Sequence, residues 1–525
     1  MSGTNQHSQL CSILLREAYG DHAVKVAMCL FRFGDLTFSQ LASHSKLKQS
    51  KLQTVLKGLI NFGLVKFEMG VDAKSGTQSN TPIYSLCKDR VLFLHRYIRG
   101  VPVFIWKFGT EGEIVLDSLM KCGHECASGI IFQATVRILK TESDQNVASV
   151  LEQIKGKLTE LIQFGLIERA PSKQPENQEK LSDFSTPGKN YSLKGVDLPM
   201  MVERISNGIL TLEDAEDQAI LWQVSRNRVT QLLRDEMFAE ALTGRVDCHA
   251  GNLVRVLLQL MADTGPAMSD VSNILHKPFI ISAVKNSYSG SPLEAHLSEY
   301  LQILSQDSSS LVKNLGDASG GEYQITLKSA ILELTWSALE KITQEQFGTK
   351  GARIFRVVRR HQFILVDDIQ NHAMLPPKEA KQILYTLVGQ NFVHFREMKL
   401  GTGSEAGKTS TSYYFFINLN QLVRMCLEKC YLAQFSASVR QNDIVSKYSH
   451  TIQKESRLTS LYVTLKDQGA PQEQLEDIAG MLTLTEREDL QKIGTWRAQL
   501  NFSEYDIDNS ILLFELYIQM FKGKI

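Results

Sequence analysis

The chain has no surplus of charge of either sign: 57 lysines and arginines are matched by 57 aspartates and glutamates over 525 residues. That balance argues against a protein that holds nucleic acid by charge alone, because phosphate neutralisation supplies most non-specific affinity. No apolar run approaches the ~18 residues that a membrane span needs. The N-terminus has no signal-peptide core, so the chain reads as soluble and intracellular, with no membrane partner. Eight cysteines lie scattered without paired spacing, which suits a reducing compartment.

Signatures of catalysis are missing as well. There is no Gly-x-Ser-x-Gly elbow, no His-Glu-x-x-His and no carboxylate pair that the sequence singles out. The run Gly403-Ser404-Glu405-Ala406-Gly407-Lys408-Thr409 resembles a phosphate loop, but Thr402 stands where the motif needs glycine. A strand, Tyr413 to Ile417, follows it, where a phosphate loop needs a helix N-terminus. Cys122-Gly123-His124-Glu125-Cys126 contains metal-ligand types, yet a structural zinc needs four ligands and no second cluster lies at finger spacing. Cys426 and Cys430, four apart on a helix, read as buried small hydrophobes. The expectation is a non-catalytic protein without metal or cofactor.

What the chain does have is a repeated phrase. Leu59-Ile60-Asn61-Phe62-Gly63-Leu64-Val65 returns as Leu161-Ile162-Gln163-Phe164-Gly165-Leu166-Ile167, and Tyr84-Ser85-Leu86 returns as Tyr191-Ser192-Leu193. Both elements recur a little over a hundred positions further on (59 to 161, 84 to 191). A near-constant period of this length means one domain used more than once. In the first copy Leu52, Val55, Leu56, Leu59 and Ile60 fall at helical spacing. Gly63 ends that helix, Leu64 to Phe67 begins a strand, and a Gly70-to-Pro82 loop leads to a second strand at Ile83 to Leu86. Two helices, Ala23 to Phe33 and Phe38 to Ser43, precede it, which is the order of a winged helix.

A weaker copy runs through Gln390-Asn391-Phe392-Val393-His394-Phe395, with a loop at Gly401 to Ser412 and a strand at Tyr413 to Ile417. Another runs from a helix at Leu293 to Leu304, through Leu311 and Val312, to Tyr323-Gln324-Ile325. After Asn418 a helix continues to about Asp467, with Leu458, Leu461 and Leu465 as a narrow seam. Gly469-Ala470-Pro471 breaks it, Leu475, Ile478 and Leu482 resume the spacing, and Thr485 with Glu488 forms a capping box. The whole reads as mainly α with small β-hairpins. Four winged helices (1–95, 96–200, 201–335, 336–420) precede a C-terminal antiparallel coiled-coil hairpin (421–525). Its last helix, Ile511 to Phe521, is apolar enough to dock on something.

Neutral overall, the chain is uneven locally. Residues 350–400 hold nine basic and four acidic side chains, and 467–525 hold five basic and eleven acidic, so two kinds of partner are expected. Arg353, Arg356 and Arg360 recur at i, i+3 and i+7 on one helix face, flanked by Lys350 and Arg359. Lys46, Lys48, Lys51 and Lys57 lie on or beside the first presumed recognition helix, where lysines suit backbone contact better than base reading. These nine are the candidate DNA or partner contacts.

The residues also resemble a family. The segments Gln346-Phe347-Gly348-Thr349-Lys350-Gly351-Ala352-Arg353-Ile354-Phe355-Arg356 and Ala373-Met374-Leu375-Pro376-Pro377-Lys378-Glu379-Ala380-Lys381 resemble the third-largest, tandem winged-helix subunit of eukaryotic RNA polymerase III. That subunit is related in design to the alpha chain of transcription factor IIE. Gly320-Gly321-Glu322-Tyr323-Gln324-Ile325 and Leu10-Cys11-Ser12-Ile13-Leu14-Leu15 are similar to it too. The basic insertion that members often carry between the second and third units has no counterpart here. The resemblance implies four winged helices and a coiled-coil hairpin, in a heterotrimer with two other polymerase III-specific subunits on the clamp of the largest subunit. It further implies a nuclear protein that helps open promoters of transfer RNA, 5S ribosomal RNA and similar genes, with weak, non-specific promoter DNA contact. The alternative is a scaffold of a ubiquitin ligase or proteasome lid, a class expected to show a long helical repeat and a single winged helix.

Overall fold

The computed structural model describes residues 5–71, 78–141, 147–170, 198–206, 217, 220–265, 269–288, 290–307, 309–316, 321–400, 410–467, 474 and 480–521. They form two compact units, Met1–Asp235 and Glu236–Ile525. No helix among the described residues is long and apolar enough to cross a membrane.

In the first unit α1 (Asn5–Phe33), β1 (Leu36–Thr37), α2 (Phe38–Ser45), α3 (Gln49–Asn61), β2 (Val65–Val71) and β3 (Gln78–Leu86) make a winged helix. Leu52, Leu56 and Leu59 of α3 turn inward with Leu41 of α2, as the 3.6-residue period requires. Strand β3 lies between β1 and β2, and pairs Leu36↔Tyr84 and Val65↔Leu86 set the register. The wing strands run further into the expected loop than the sequence suggests, pairing as far as Val71↔Gln78. Next come α4 (Lys88–Cys122), β4 (Glu125–Cys126), α5 (Ala127–Thr141), α6 (Val147–Phe164), β5 (Ile167–Arg169), α7 (Leu198–Ser206), β6 (Leu221–Val224) and α8 (Arg226–Arg245). Here β6 lies between β4 and β5.

The expected second strand, Tyr191 to Leu193, lies outside the described residues; the strand that completes this sheet comes well after it, at Leu221–Val224. The boundary expected at 200 therefore falls inside the second winged helix. Sequence similarity pointed to Tyr-Ser-Leu, but the central place in the sheet goes to a strand that buries Trp222 and Val224.

The second unit continues with α9 (Cys248–Thr264), β7 (Leu275–His276), α10 (Lys277–Tyr288), α11 (Pro292–Ala295), α12 (Leu297–Gln306), β8 (Val312–Gly316) and β9 (Glu322–Ile325). Strand β9 is again central, between β7 and β8. The helix expected from Leu293 to Leu304 is two helices, broken at His296. A fourth winged helix uses α13 (Leu327–His361), α14 (Val366–Ala373), α15 (Pro377–Gly389), β10 (His394–Leu400) and β11 (Ser410–Phe416). Its third strand is reduced to one bridge, Ile364↔Phe415. The segment resembling a phosphate loop lies outside the described residues, but the strands on either side are antiparallel neighbours.

Helices α1, α4 and α13 are not straight. Each is interrupted by one glycine in a conformation only glycine adopts readily: Gly20 (φ 79°, ψ 176°), Gly109 (81°, 174°) and Gly348 (73°, −178°). At Gly348 the chain doubles back. A straight helix would put residues 333 and 359 about 39 Å apart, yet the Arg359 guanidinium is 2.6 Å from the Glu333 carboxylate. Likewise His7 and Phe31 bring their rings to 5.6 Å across Gly20. In α4 and in α13 the glycine falls at the same distance from the helix start (88 to 109, 327 to 348). In all three, the first strand or bridge residue follows the glycine at one constant spacing (20 to 36, 109 to 125, 348 to 364). The boundaries expected at 95 and 335 fall within the first arms of α4 and α13, because the strand closing one wing runs straight into the next helical hairpin.

The C-terminal segment comprises α16 (Leu419–Lys447), α17 (Ser449–Asp467) and α18 (Leu484–Phe521), with a break at Tyr448 inside the helix expected to run to Asp467. The residues expected to break the hairpin, 469–471, lie outside the described ones, as do Leu475 and Ile478. Tyr431 donates to Glu515 (2.8 Å), Gln441 to Asn501 (2.6 Å) and Lys454 to Glu486 (2.7 Å). Numbers rise on one side while they fall on the other, so the pair is antiparallel. The capping box is Thr483 with Glu486, not Thr485 with Glu488: the Thr483 amide donates to Glu486 (3.0 Å) and the Glu486 amide to the Thr483 hydroxyl (3.3 Å). Lys454 decides between the two boxes, because it reaches Glu486 from α17. Together with the Thr483 amide it holds that carboxyl down at about 2.

Ile511, Leu512, Leu513, Phe514, Leu516 and Tyr517 are buried, packed on α16 and α13. Lys328 of α13 sits 5.1 Å over the Phe521 ring. The apolar end expected to seek a partner docks on its own chain. Removing residues 421–525 is therefore expected to expose the α13 face and make the remaining chain aggregate, which light scattering would register; a monodisperse truncation would contradict this packing.

The reversals generate a second prediction. A Cβ at Gly348 meets nothing within 4 Å, so Gly348→Ala suffers backbone strain alone, about 1–3 kcal/mol. Gly58, in the middle of α3 and equally open, should gain roughly 0.5–1 kcal/mol as Ala. Denaturant midpoints of the full chain should move in opposite directions; equal shifts would refute the reversal.

Candidate interaction faces

The repeated phrase is a helix stop that recurs in three of the winged helices. The Gly63 amide donates to Ile60 O (2.8 Å) and the Leu64 amide to Leu59 O (2.9 Å). Gly165 and Leu166 repeat the pattern onto Ile162 and Leu161, and Asn391 and Phe392 onto Val388 and Leu387. This is a Schellman stop, which needs a left-handed residue; Gly63, Gly165 and Asn391 all have positive φ. An aromatic residue just before each reversal glycine packs beside the stop. Tyr19 meets Phe62 at 4.9 Å, Phe108 meets Phe164 at 5.2 Å and Phe347 meets Phe392 at 5.0 Å. Reversal and stop thus hold each presumed recognition helix at one angle to its hairpin.

On the first recognition helix, α3, the four candidate lysines are all exposed. None makes an ion pair with another described residue. Lys46 takes a left-handed conformation (φ 54°) between α2 and α3, and Lys48 is the residue before α3 begins. Helical geometry puts Lys51 near Lys48, but Lys57, nearly two turns further on, is rotated about 120° around the axis. The structure therefore groups Lys46, Lys48 and Lys51 and leaves Lys57 apart. Cations at a helix N-terminus add to its partial positive charge and oppose the helix by about 0.3–1 kcal/mol each; a purely structural choice would put acids there.

The five candidates of the fourth winged helix divide differently. All lie on the second arm of α13, after Gly348, with Ile354 and Val358 buried. Lys350 pairs with Glu379 of α15, and Arg356 pairs with Glu340 of the first arm. Arg359 pairs with Glu333 and covers the Trp336 ring at 4.9 Å. Arg356 and Arg359 hold the two arms of the hairpin together and Lys350 ties the second arm to α15, which the i, i+3, i+7 spacing alone does not reveal. Arg353 is exposed, with one nitrogen donating to Ala373 O at the end of α14 (3.3 Å). Arg360 is exposed and pairs with nothing among the described residues. Only Arg353 and Arg360 remain available to an outside anion.

Sequence reasoning missed the acids Glu333 and Glu340, whose signal was their near-mirror placement about Gly348. It also missed an aromatic surface on α15 and the fourth wing. Tyr385, Phe395 and Tyr413 are 58, 52 and 47 % exposed, beside exposed Lys378 and Lys381. The hairpin seam is incomplete as well: Leu461, Val463 and Leu484 are exposed toward the distal end.

The cysteines hold no metal-type constellation among the described residues. Cys122 donates to Gln133 (3.0 Å), and His124 shares a hydrogen with Gln223 (3.0 Å). Burial pushes the Cys426 and Cys430 thiols up to about 11 and about 12, so they behave as inert hydrophobes.

The division of the arginines is testable by charge reversal. R353E/R360E should leave the thermal melt within the ~0.5 kcal/mol typical of exposed sites. R356E/R359E should lower it clearly, because each new carboxylate faces Glu340 or Glu333. Equal effects would mean that the pairs do not hold the hairpin.

Four family models match the chain in order. The RNA polymerase III subunit RPC82 helix-turn-helix domain covers residues 9–69, and RNA polymerase III subunit RPC82 covers 133–334. The C-terminal winged-helix domain of POLR3C covers 339–417, and the helical hairpin domain of DNA-directed RNA polymerase III subunit RPC3 covers 452–513. RPC3 of Rattus norvegicus is 26% identical over 98% of this chain and 99% of its own length. RPC3 of Homo sapiens is 25% identical with the same coverage, and RPC3 of Danio rerio 26% identical over 98% of each. Four tandem winged helices, a terminal helical hairpin and family matches in that order place the chain in the RPC3/RPC82 family of DNA-directed RNA polymerase III subunits.

Proposed function

We propose that this chain is a non-catalytic subunit of nuclear DNA-directed RNA polymerase III. The observation that carries the reading is the near-full-length alignment with relatives named as that subunit. The finer reading follows the resemblance: a heterotrimer with two other polymerase III-specific subunits, seated on the clamp, that helps open promoters of transfer RNA and 5S ribosomal RNA genes. For working boundaries we propose that the first, second and fourth winged helices start at their reversals, near residues 20, 109 and 348, and the third at the break between α8 and α9, near 247. A ubiquitin-ligase or proteasome-lid scaffold fits poorly, since that class is expected to carry one winged helix and this chain carries four.

Two kinds of surface suit the two partner classes. Lys46, Lys48 and Lys51, together with Arg353, Arg360 and the Tyr385–Phe395–Tyr413 surface, suit a phosphate backbone and unstacked bases, because lysines and guanidinium groups hold phosphates and rings stack on bases. Exposed Leu461, Val463 and Leu484 toward the distal end of the hairpin suit a protein partner, since exposed apolar side chains favour burial.

Purification of the tagged chain from cell extract should bring down polymerase III subunits in fixed proportion, read by mass spectrometry. Recovery of ubiquitin machinery, or of no stable partner, would refute the reading. For DNA, K46E/K48E/K51E should weaken duplex binding about equally across sequences and flatten its salt dependence. Nanomolar sequence-selective binding by the isolated protein would contradict the assignment, since ~10⁻⁸ to 10⁻¹¹ M belongs to dedicated readers.

A further inference from the structure

We propose that Arg90 and Arg226 form a receptor for one small oxyanion, inorganic phosphate being the simplest, between the first two winged helices. Arg90 lies in the first turn of α4 and Arg226 opens α8. The two reach the same helix stop from opposite sides. Arg90 donates to Gly63 O, and Arg226 donates to the adjacent Phe62 O at 3.3 Å. A Cβ on Gly63 would lie 2.1 Å from one Arg90 nitrogen and 3.1 Å from one Arg226 nitrogen. Two cations therefore crowd one α-carbon, and a Cβ there would push the Arg90 guanidinium aside.

The equivalent stop in the second winged helix shows what the first one is missing. There Arg228 donates to Phe164 O at 3.1 Å and Lys107 covers the Phe164 ring at 4.1 Å. Asp235, paired with Arg234 at 2.6 Å, acts on both cations. At the first stop neither arginine has a carboxylate within ion-pair distance among the described residues. The acid that acts on Arg226 is Glu168, which already accepts a hydrogen bond from Gln223 (2.9 Å). Burial, then the neighbouring Arg90, brings the Arg226 guanidinium down to about 10.

Beside the two arginines opens a cavity of about 30 Å³, lined also by Tyr19, Phe62, Phe93 and His124. At roughly 10–15 Å³ per water, that holds one small group and no nucleotide. Each guanidinium has five N–H donors and spends one on a carbonyl, which leaves a fork on each for an oxyanion. Tyr19 and His124 add polar edges.

The test is equilibrium dialysis of inorganic phosphate against the full chain, with ionic strength held by chloride. One saturable site is expected, weakened at least tenfold by R90Q and by R226Q and unchanged by R16Q, a surface control. Because either variant can loosen the stop, the unaltered protein supplies a second measurement. Phosphate should slow phenylglyoxal modification of Arg90 and Arg226 severalfold, by peptide mapping, and leave Arg360 unaffected. Absence of a saturable site, absence of protection, or full binding by folded R90Q and R226Q would each overturn the proposal.

Discussion

The architecture depends on a conformational constraint at single glycines. Gly20, Gly109 and Gly348 adopt a φ and ψ open in practice only to glycine, and there a helix folds back on itself. The reversal lets the chain leave one wing, run out along a helix and return as the first helix of the next winged helix. Such a domain is small and buries a modest share of its surface alone. The outgoing arm supplies the missing apolar cover, as Trp336 does against Phe355 (6.1 Å). The aromatic residue before each glycine then presses on the stop of the recognition helix, so the reversal also sets where that helix points.

Charge is organised by the same geometry. Net neutrality conceals two populations. Arg356, Arg359 and Lys350 are bound to acids of neighbouring arms or helices and serve the fold. Lys46, Lys48, Lys51 and Arg360 have no such partner among the described residues and stay open to solvent. Surface pairs are individually weak, about 0–1 kcal/mol, so their effect here is to hold two arms in register, to tie one arm to α15 and to withdraw three cations from the surface. A neutral chain can in this way present small basic faces without a strong general affinity for nucleic acid.

The C-terminal hairpin is fixed to the fold at one end only among the described residues. Its proximal end is sealed onto α13 by Ile511 to Tyr517. Its distal end keeps Leu461, Val463 and Leu484 exposed. One element is thus anchored at its base and apolar toward its tip, which suits a docking arm better than a free tail.

Much of this was legible in the residues. The Asn-Phe-Gly-Leu phrase revealed the repeat, because a Schellman stop demands a left-handed residue followed by an apolar one. Heptad-like spacing revealed the hairpin, and alternating helix and strand periods the fold class. What stayed hidden depends on distant residues meeting. Tyr191-Ser192-Leu193 copies Tyr84-Ser85-Leu86 in letters, yet the central place in the second sheet goes to Leu221–Val224, because pairing is decided by burial of Trp222 and not by local likeness. Thr483 and Thr485 both begin a valid capping box, and only Lys454, reaching across from the facing helix, selects the first. The sequence by itself determined the repeated domain, its recognition helices and the nine candidate cations. Tertiary structure alone decided which of those cations are already paired, because that follows from a reversal at Gly348 that brings Glu333 and Arg359, on opposite arms, to within 2.6 Å.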